Sequence, residues 1–168
     1  MTIALGLSAV DGIVLAADTE MTWGDYLKTD GAKISVLPDR GLSIAGAGDG
    51  DYLDAITFEL ERLIGNLQTN NFAEIERAIQ NQLAKFHREH VQPWRDASLD
   101  ISLLIGLERA GKRILWTTRK ATVRPCVYSV IGIGAADAHS MLTQFFENVR
   151  YPAVDLTMAQ VIAAYVVY

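Results

Sequence analysis

Thr2-Ile3-Ala4-Leu5-Gly6-Leu7-Ser8-Ala9-Val10-Asp11-Gly12-Ile13-Val14-Leu15-Ala16-Ala17-Asp18 is an apolar segment, a turn pair and a second apolar segment ending on an acid. Asp11-Gly12 tolerates the positive φ of a tight turn, so residues 2–8 and 13–18 are expected to pair as a β-hairpin. Thr2 then opens the first strand, directly behind Met1. A threonine that becomes residue one after methionine removal carries nucleophile and base together. Its hydroxyl is a weak nucleophile at neutral pH, but the free α-amine, with a reference pKa of roughly 7.7–8.0, lies within reach of the proton. Methionine removal favours a small second residue, and Thr2 meets that condition.

Outward from this hairpin, a polar loop is expected through Gly24, Asp30 and Gly31. Lys33 to Leu37 then alternates as a strand, and Pro38-Asp39-Arg40-Gly41 turns it back into Leu42-Ser43-Ile44-Ala45. Gly46-Ala47-Gly48-Asp49-Gly50-Asp51 leads into a helix whose Leu53, Ile56, Leu60, Leu63 and Leu67 recur at spacings of three and four. Ile75, Ile79, Leu83 and Phe86 mark a second helix reaching about His90, before Pro93. Strands are expected over 100–107, 113–117 and 123–131. The Gly132-Ile133-Gly134 turn opens a third helix over 135–149 with Asp137 in its first turn, and Thr157 reads as the N-cap of a fourth. Strands, helices, strands, helices is an α+β order in which the apolar helix faces must cover a sheet.

With 168 residues, half of them apolar, the chain can form one domain with a substantial core, and residues 1–168 are read as a single unit. A formal net charge of −5 and the absence of a Lys/Arg cluster interleaved with aromatics argue against nucleic acid as a partner. Arg119-Lys120, with Arg113 and Arg124, reads as solvated strand and turn surface. The single cysteine, Cys126, has no internal partner and reads as a buried strand position, which points to a cytoplasmic protein. No signal peptide is evident, and the longest apolar run, Val161 to Tyr168, is far short of the roughly 20 residues of a membrane span.

Several residue groups invite a chemical reading. The glycines from Gly46 to Gly50 could cradle a phosphate, but the turn lacks the P-loop ending and the dinucleotide spacing, and Asp49 and Asp51 would repel an anion of that charge. Its N–H groups suit an oxyanion hole better, and they equally suit a tight turn that starts a helix. His87 and His90 lie three apart without a companion ligand cluster, so solvated helix surface is a better reading than a metal pair. His139 stands alone, without support for a Ser-His-Asp arrangement. Lys33 is a snorkelling edge charge when taken alone. Taken with Thr2 and Asp18 it would place an ammonium where it favours the threonine alkoxide, with Asp18 holding it.

Thr2 at a strand start, Asp11 to Asp18, Thr22 with Gly24, Lys33, and Ile44-Ala45-Gly46 before a Gly/Asp-rich helix entry resemble the β-type subunits of the proteasome, including bacterial proteasome-like peptidases. These belong to the N-terminal-nucleophile hydrolases. Ile101 to Gly106, Gly132 to Gly134 and Leu156-Thr157 are similar in layout, so the resemblance spans nearly the whole chain. It implies a four-layer αββα sandwich. It further implies Thr2 as nucleophile, its amine as base, Lys33 as the group stabilising the deprotonated hydroxyl, Asp18 as its orienting partner and the Gly46 N–H as oxyanion donor. The backbone of Thr22 and neighbouring glycines such as Gly48 would pair with an extended peptide, while Met21 and Ile44 would wall an apolar side-chain pocket. No metal or organic cofactor is implied. The implied partners are a peptide or unfolded protein as substrate, further copies of the chain in a ring or spiral, and an ATP-dependent unfoldase.

This sequence departs from the family pattern at two places. A serine usually stands between the glycines of the turn before the third helix, where this chain has Ile133, which offers no hydrogen bond. Family members also continue past the last helix with an Asp, a Ser and further strands, whereas this sequence stops at Tyr168, so a fragment, a shortened homologue or a degenerate copy with an unfilled sheet edge is expected. Three functions follow from these residues. The first is a threonine peptidase cutting unfolded polypeptides after apolar residues. The second is a non-catalytic scaffold or assembly subunit, and the third a small-molecule amidase with the same nucleophile.

Overall fold

A computed structural model describes residues 3–23, 27–94, 101–146 and 154–167, with the backbone alone at 21–23, 27–30 and 94. Its elements in chain order are strands β1 (Ala4–Ser8), β2 (Ile13–Ala17), β3 (Glu20–Trp23), β4 (Leu27–Asp30), β5 (Ile34–Leu37) and β6 (Leu42–Ala47). Helices α1 (Gly50–Asn66) and α2 (Phe72–Phe86) come next, then strands β7 (Ser102–Arg109), β8 (Lys112–Arg119), β9 (Thr122–Pro125) and β10 (Tyr128–Ile131). Helices α3 (Ala135–Phe146) and α4 (Leu156–Val167) complete the order. All strand pairings are antiparallel, in a three-stranded sheet β10-β1-β2, a two-stranded ribbon β3-β4 and a five-stranded sheet β5-β6-β7-β8-β9.

Strand alternation sorts side chains into three cores. Leu5 and Leu7 of β1 point to α3 and α4, where they meet Ala138, Leu142, Phe146, Ala159 and Ile162. Leu103, Ile105 and Leu107 of β7, with Leu42 and Ile44 of β6, point the other way and meet Ile56, Leu60 and Ile64 of α1 and Ile75, Ile79 and Leu83 of α2. Between the sheets lie Ala4, Ala45, Ala47, Leu104 and Ile131. The three alanines let the two sheets approach closely. The result is the expected α+β sandwich of helix pair, sheet, sheet and helix pair.

Local chemistry terminates and joins these elements. Asp49 caps α1 by accepting from the Tyr52 N–H at 3.2 Å, and Asn71 caps α2 through the Ala73 N–H. At the far end of α1 the Arg109 guanidinium collects the carbonyls of Ile64, Leu67 and Thr69 at 2.5, 2.9 and 2.7 Å. Those are acceptors that a helix C-terminus leaves without intrahelical partners. The cap of α4 is Asp155, whose side chain accepts from the Met158 N–H at 2.8 Å, and not Thr157 as the sequence suggests. Asp11, in the β1–β2 turn, accepts from the Leu156 N–H at 2.7 Å and so ties that turn to α4.

Two strand expectations change. The stretch 123–131 is not one strand: β9 pairs with β8, β10 pairs with β1, and the chain crosses between sheets at Cys126 and Val127. Pro125 has no N–H to extend the ladder, which favours the break there. Cys126 therefore lies between strands, half-buried, and burial pushes its thiol up to about 12. Residues 20–23 and 27–30, part of the segment expected as a polar loop, form the β3–β4 ribbon, closed at its base by the Gly31 N–H donating to the Thr19 carbonyl at 2.8 Å. Among the described residues no helix is long and apolar enough to cross a membrane.

Candidate active site

The ribbon explains how residues fifteen apart meet. With Thr19 and Gly31 bonded across its base, Asp18 at the end of β2 and Lys33 at the start of β5 are drawn together. Lys33 Nζ donates to Asp18 Oδ2 at 2.8 Å, with Lys33 9% and Asp18 20% exposed. The other carboxylate oxygen, Oδ1, accepts the Ile3 N–H at 2.7 Å, and the Asp18 N–H returns a bond to the Ile3 carbonyl at 3.1 Å. One carboxylate thus grips the lysine and the residue that follows Thr2. Sequence reading did not find this Ile3 contact, because a backbone donor has no residue signature.

Gly46 closes the third side. Its N–H donates to the Lys33 carbonyl at 3.2 Å, a long bond beyond the last residue pair of the β5–β6 ladder. The amide expected to face an oxyanion therefore has the Lys33 carbonyl as its partner in this structure. A Cβ at Gly46 would lie 2.7 Å from Leu53 Cδ2, so the glycine also serves the close approach of α1 to β6. Asp18, Lys33 and Gly46 form one contiguous group at the end of both sheets.

The other residues expected here are placed as follows. Thr2 lies outside the described residues. Met21 and Thr22 are in β3, opposite Thr29 and Lys28 of β4, and only their backbone is described. Ile44 is 2% exposed and packs in the core under α1 and α2. Gly48 follows β6 at φ 137, a conformation that favours glycine, and leads directly to the α1 cap Asp49. Ile133 is 86% exposed between Gly132 and Gly134, so an apolar side chain stands where the resemblance expects a hydroxyl.

Of two readings made outside the site, one changes and one holds. His87 is 8% exposed, in the π-helical turn that follows α2, with Nε2 lacking a hydrogen-bond partner among the described residues. It is not solvated helix surface. His90 is exposed but lies against Phe86, with ring centroids 4.6 Å apart. Arg113 pairs with Glu108 at 2.9 Å, and Arg113, Arg119, Lys120 and Arg124 are all exposed, as expected of solvated strand and turn surface.

Two face-packed antiparallel sheets between helix pairs, with an acid–lysine pair at the end of the N-terminal strand, define the N-terminal-nucleophile hydrolase fold. Within that class the chain belongs to the proteasome subunit family, whose sequence profile matches residues 2–164. No curated protein sequence matches the chain. Among solved structures it is similar to Anbu (ancestral beta-subunit) from Yersinia bercovieri, with a TM-score of 0.77 at 14% identity over 98% of this chain and 72% of that one. Anbu from Hyphomicrobium sp. strain MC1 is similar in two structures, a Gly-1 mutant at TM-score 0.74 and a second at 0.72. Both are 14% identical; the alignments cover 99% and 98% of this chain and 72% of each of those. At that identity the likeness shows the fold alone.

Proposed function

We propose that the chain is a threonine-type N-terminal-nucleophile peptidase acting on unfolded polypeptides, and that it works as one domain, residues 1–168. The observation that carries this reading is the Asp18 carboxylate. It holds the mostly buried Lys33 ammonium through one oxygen and the Ile3 N–H through the other, so a positive charge is positioned one residue from Thr2. After Met1 removal the Thr2 amine takes the hydroxyl proton and Oγ1 attacks the peptide carbonyl carbon. The tetrahedral intermediate collapses as the proton passes to the leaving amine, which gives an ester. Water, with its proton taken by the same amine, then releases the acid and restores the hydroxyl. Lys33 favours the alkoxide throughout, and no metal or organic cofactor takes part. Met21, Thr22 and Gly48 are proposed to bind the acyl side of the peptide, whereas the Ile44 side chain, buried under α1 and α2, does not wall the pocket expected of it.

Assembly is part of this proposal. The family is one of subunits, and the neighbour from Yersinia bercovieri is titled a beta-subunit. Phe145, Met158, Val161 and Tyr165 on α3 and α4 are large apolar side chains left exposed, as expected of a face that meets further copies in a ring or spiral. An ATP-dependent unfoldase would feed such an assembly. The cytoplasm suits a chain with one unpaired cysteine.

Two observations favour a second reading, a non-catalytic assembly subunit: the Gly46 N–H donates to Lys33, and Ile133 replaces a polar contact. Intact mass before and after treatment with a peptide epoxyketone separates them, since that reagent needs an amine and a hydroxyl on one residue. The peptidase reading expects loss of Met1, a single stable adduct, peptide turnover and loss of adduct and turnover in T2A. Retained Met1, or turnover unchanged by T2A, would overturn it. Turnover of simple amides in preference to peptides would instead identify an amidase.

A further inference from the structure

The margin of the larger sheet beside the Asp18–Lys33 pair carries a carboxylate that the site described above does not use. Strand β5 pairs with β6 alone, so among the described residues its other side is an edge. Ser35 of β5 is opposite Ile44, which packs under α1 and α2, and the Gly46 N–H bond to the Lys33 carbonyl carries the ladder one pair further. Alternation therefore puts both Ser35 and Lys33 on the α1 side of the sheet. Helix α1 reaches this margin: the Ser35 hydroxyl donates to Glu61 Oε1, and both residues are half-buried. Lys33 and the Ser35–Glu61 pair are the two ends of one strip, separated by two residues of extended chain or about 7 Å.

Glu61 has no cation of its own. Among the described residues its one side-chain hydrogen bond comes from a neutral hydroxyl, and it enters no ion pair. Lys33 pairs with Asp18, Arg40 donates to the Gly65 carbonyl one turn beyond Glu61, and Arg62 is exposed. A carboxylate can accept several hydrogen bonds, so Glu61 keeps acceptor capacity at Oε2. Drawing its charge half out of water without an opposite charge is unfavourable, and a cation brought in from outside would offset that cost. One turn before Glu61, on the same helix face, stand Thr57 and Phe58, the latter 65% exposed. An exposed aromatic ring near an unpaired acid matches the aliphatic stem and charged head of a basic side chain.

In the peptidase reading the reacting carbonyl is held at Lys33 and Gly46, and the side chain of the same residue can run down this strip. We infer that Ser35 and Glu61 close a subsite for a basic side chain, so that the protein recognises Lys or Arg on the acyl side of the bond it cuts, with Glu61 as the specificity determinant. The separation of Ser35 from Lys33 calls for a long stem, which lysine and arginine have. A hydroxyl and an acid line the far end of the strip, while Ile44, the apolar residue expected there, is buried in the core. The inference rests on the peptidase reading for the position of the basic residue next to the cut; recognition of the cation does not depend on turnover.

N-acetylated alanine-rich peptide amides ending in lysine, norleucine or glutamate test this by calorimetric binding to the full chain, and their aminocoumarin counterparts by turnover. Norleucine keeps most of the lysine stem without the charge. The lysine peptide is expected to bind about tenfold tighter than the norleucine peptide, as a charge-assisted bond to a half-buried carboxylate implies, with glutamate weakest. E61Q, which can still accept from Ser35, should bring the lysine-to-norleucine ratio to within about twofold of one, and E61K should place glutamate above lysine. The wild-type ratio should also fall as salt is raised, because Glu61 is partly exposed. A merely structural role for Glu61 would shift all peptides alike and leave the ratio insensitive to salt. Equal affinity for lysine and norleucine, failure of every peptide to bind, or a lysine preference that survives E61K would overturn the inference. Epoxyketone labelling reports separately on Thr2. Labelling without lysine preference defeats the subsite alone, and lysine preference without labelling or turnover defeats the peptidase reading and leaves a cation-recognising strip on an assembly subunit.

Discussion

Replacing Asp18 by Asn keeps the side-chain shape and removes one charge from the group that organises the site. Removing one partner of a fully buried ion pair costs about 3–5 kcal/mol, whereas an exposed pair is worth about 0–1 kcal/mol. Lys33 is 9% and Asp18 20% exposed, so the pair lies between those limits and toward the buried one. The amide can keep only one of the two bonds, because its oxygen can accept from Ile3 while its NH2 then faces the Lys33 ammonium, donor against donor. A loss of about 2 kcal/mol follows, which for a domain of this length lowers the melting temperature by about 4–8 °C. Urea unfolding of D18N, K33M and D18N/K33M measures it. K33M removes the ammonium that D18N sets against an amide donor, so the double variant should be no less stable than D18N alone, with a coupling energy of about 1.5 kcal/mol. A buried pair is weakly screened, so the difference should persist at high salt. A D18N stability within about 0.5 kcal/mol of wild type, or strict additivity of the two changes, would refute the argument.

R109M should destabilise the protein by about 2–3 kcal/mol, since three carbonyls at the end of α1 lose a charged donor at once; urea unfolding checks it, and an unchanged midpoint would show that water replaces the guanidinium without cost. Cys126 supplies a pH test whose sign follows from burial. The folded thiol keeps its proton to about 12 while the unfolded one releases it near 9.0, so the folded state binds more protons between those values. The stabilisation is present in full below pH 9 and is lost as pH rises toward 12. The stability difference between wild type and C126A should therefore shrink over that window, and a constant difference would count against burial as the cause. Slow alkylation by iodoacetamide at pH 8 is the companion expectation.

How much of this was legible in the sequence depends on the range of the interaction. The β1–β2 hairpin, the β5–β6 hairpin and helices α1 and α2 are local patterns, and their apolar periods place Leu5, Ile44, Ile56 and Ile79 in the cores where the structure has them. The β3–β4 ribbon was not legible. Its strands, Glu-Met-Thr-Trp and Leu-Lys-Thr-Asp, carry too few apolar residues for alternation to register, and Gly24 and Gly31 read as loop. The cut between β9 and β10 was equally silent apart from Pro125, because a strand that changes sheets keeps the same alternation.

The ribbon shows why a site can be foreseen while its cause is missed. Asp18 and Lys33 were expected to meet on the strength of residue types and order, yet no local rule brings them together. A fifteen-residue polar loop would leave their separation free. A ribbon closed at Thr19 and Gly31 leaves only a few residues between the base and the pair, so Asp18 and Lys33 inherit their distance from backbone hydrogen bonds. The same logic applies to β8 and β9, whose register puts Arg119 and Arg124 on one face with Thr117 and Thr122. Alternation of Thr and Arg on both strands was a visible signal, but only the pairing partner decides whether such a row meets solvent or a second sheet. Chemistry at the end of this sandwich therefore depends on long-range register more than on any single motif, and substitutions that shift the β3–β4 or β8–β9 pairing should disturb the site as much as substitutions within it.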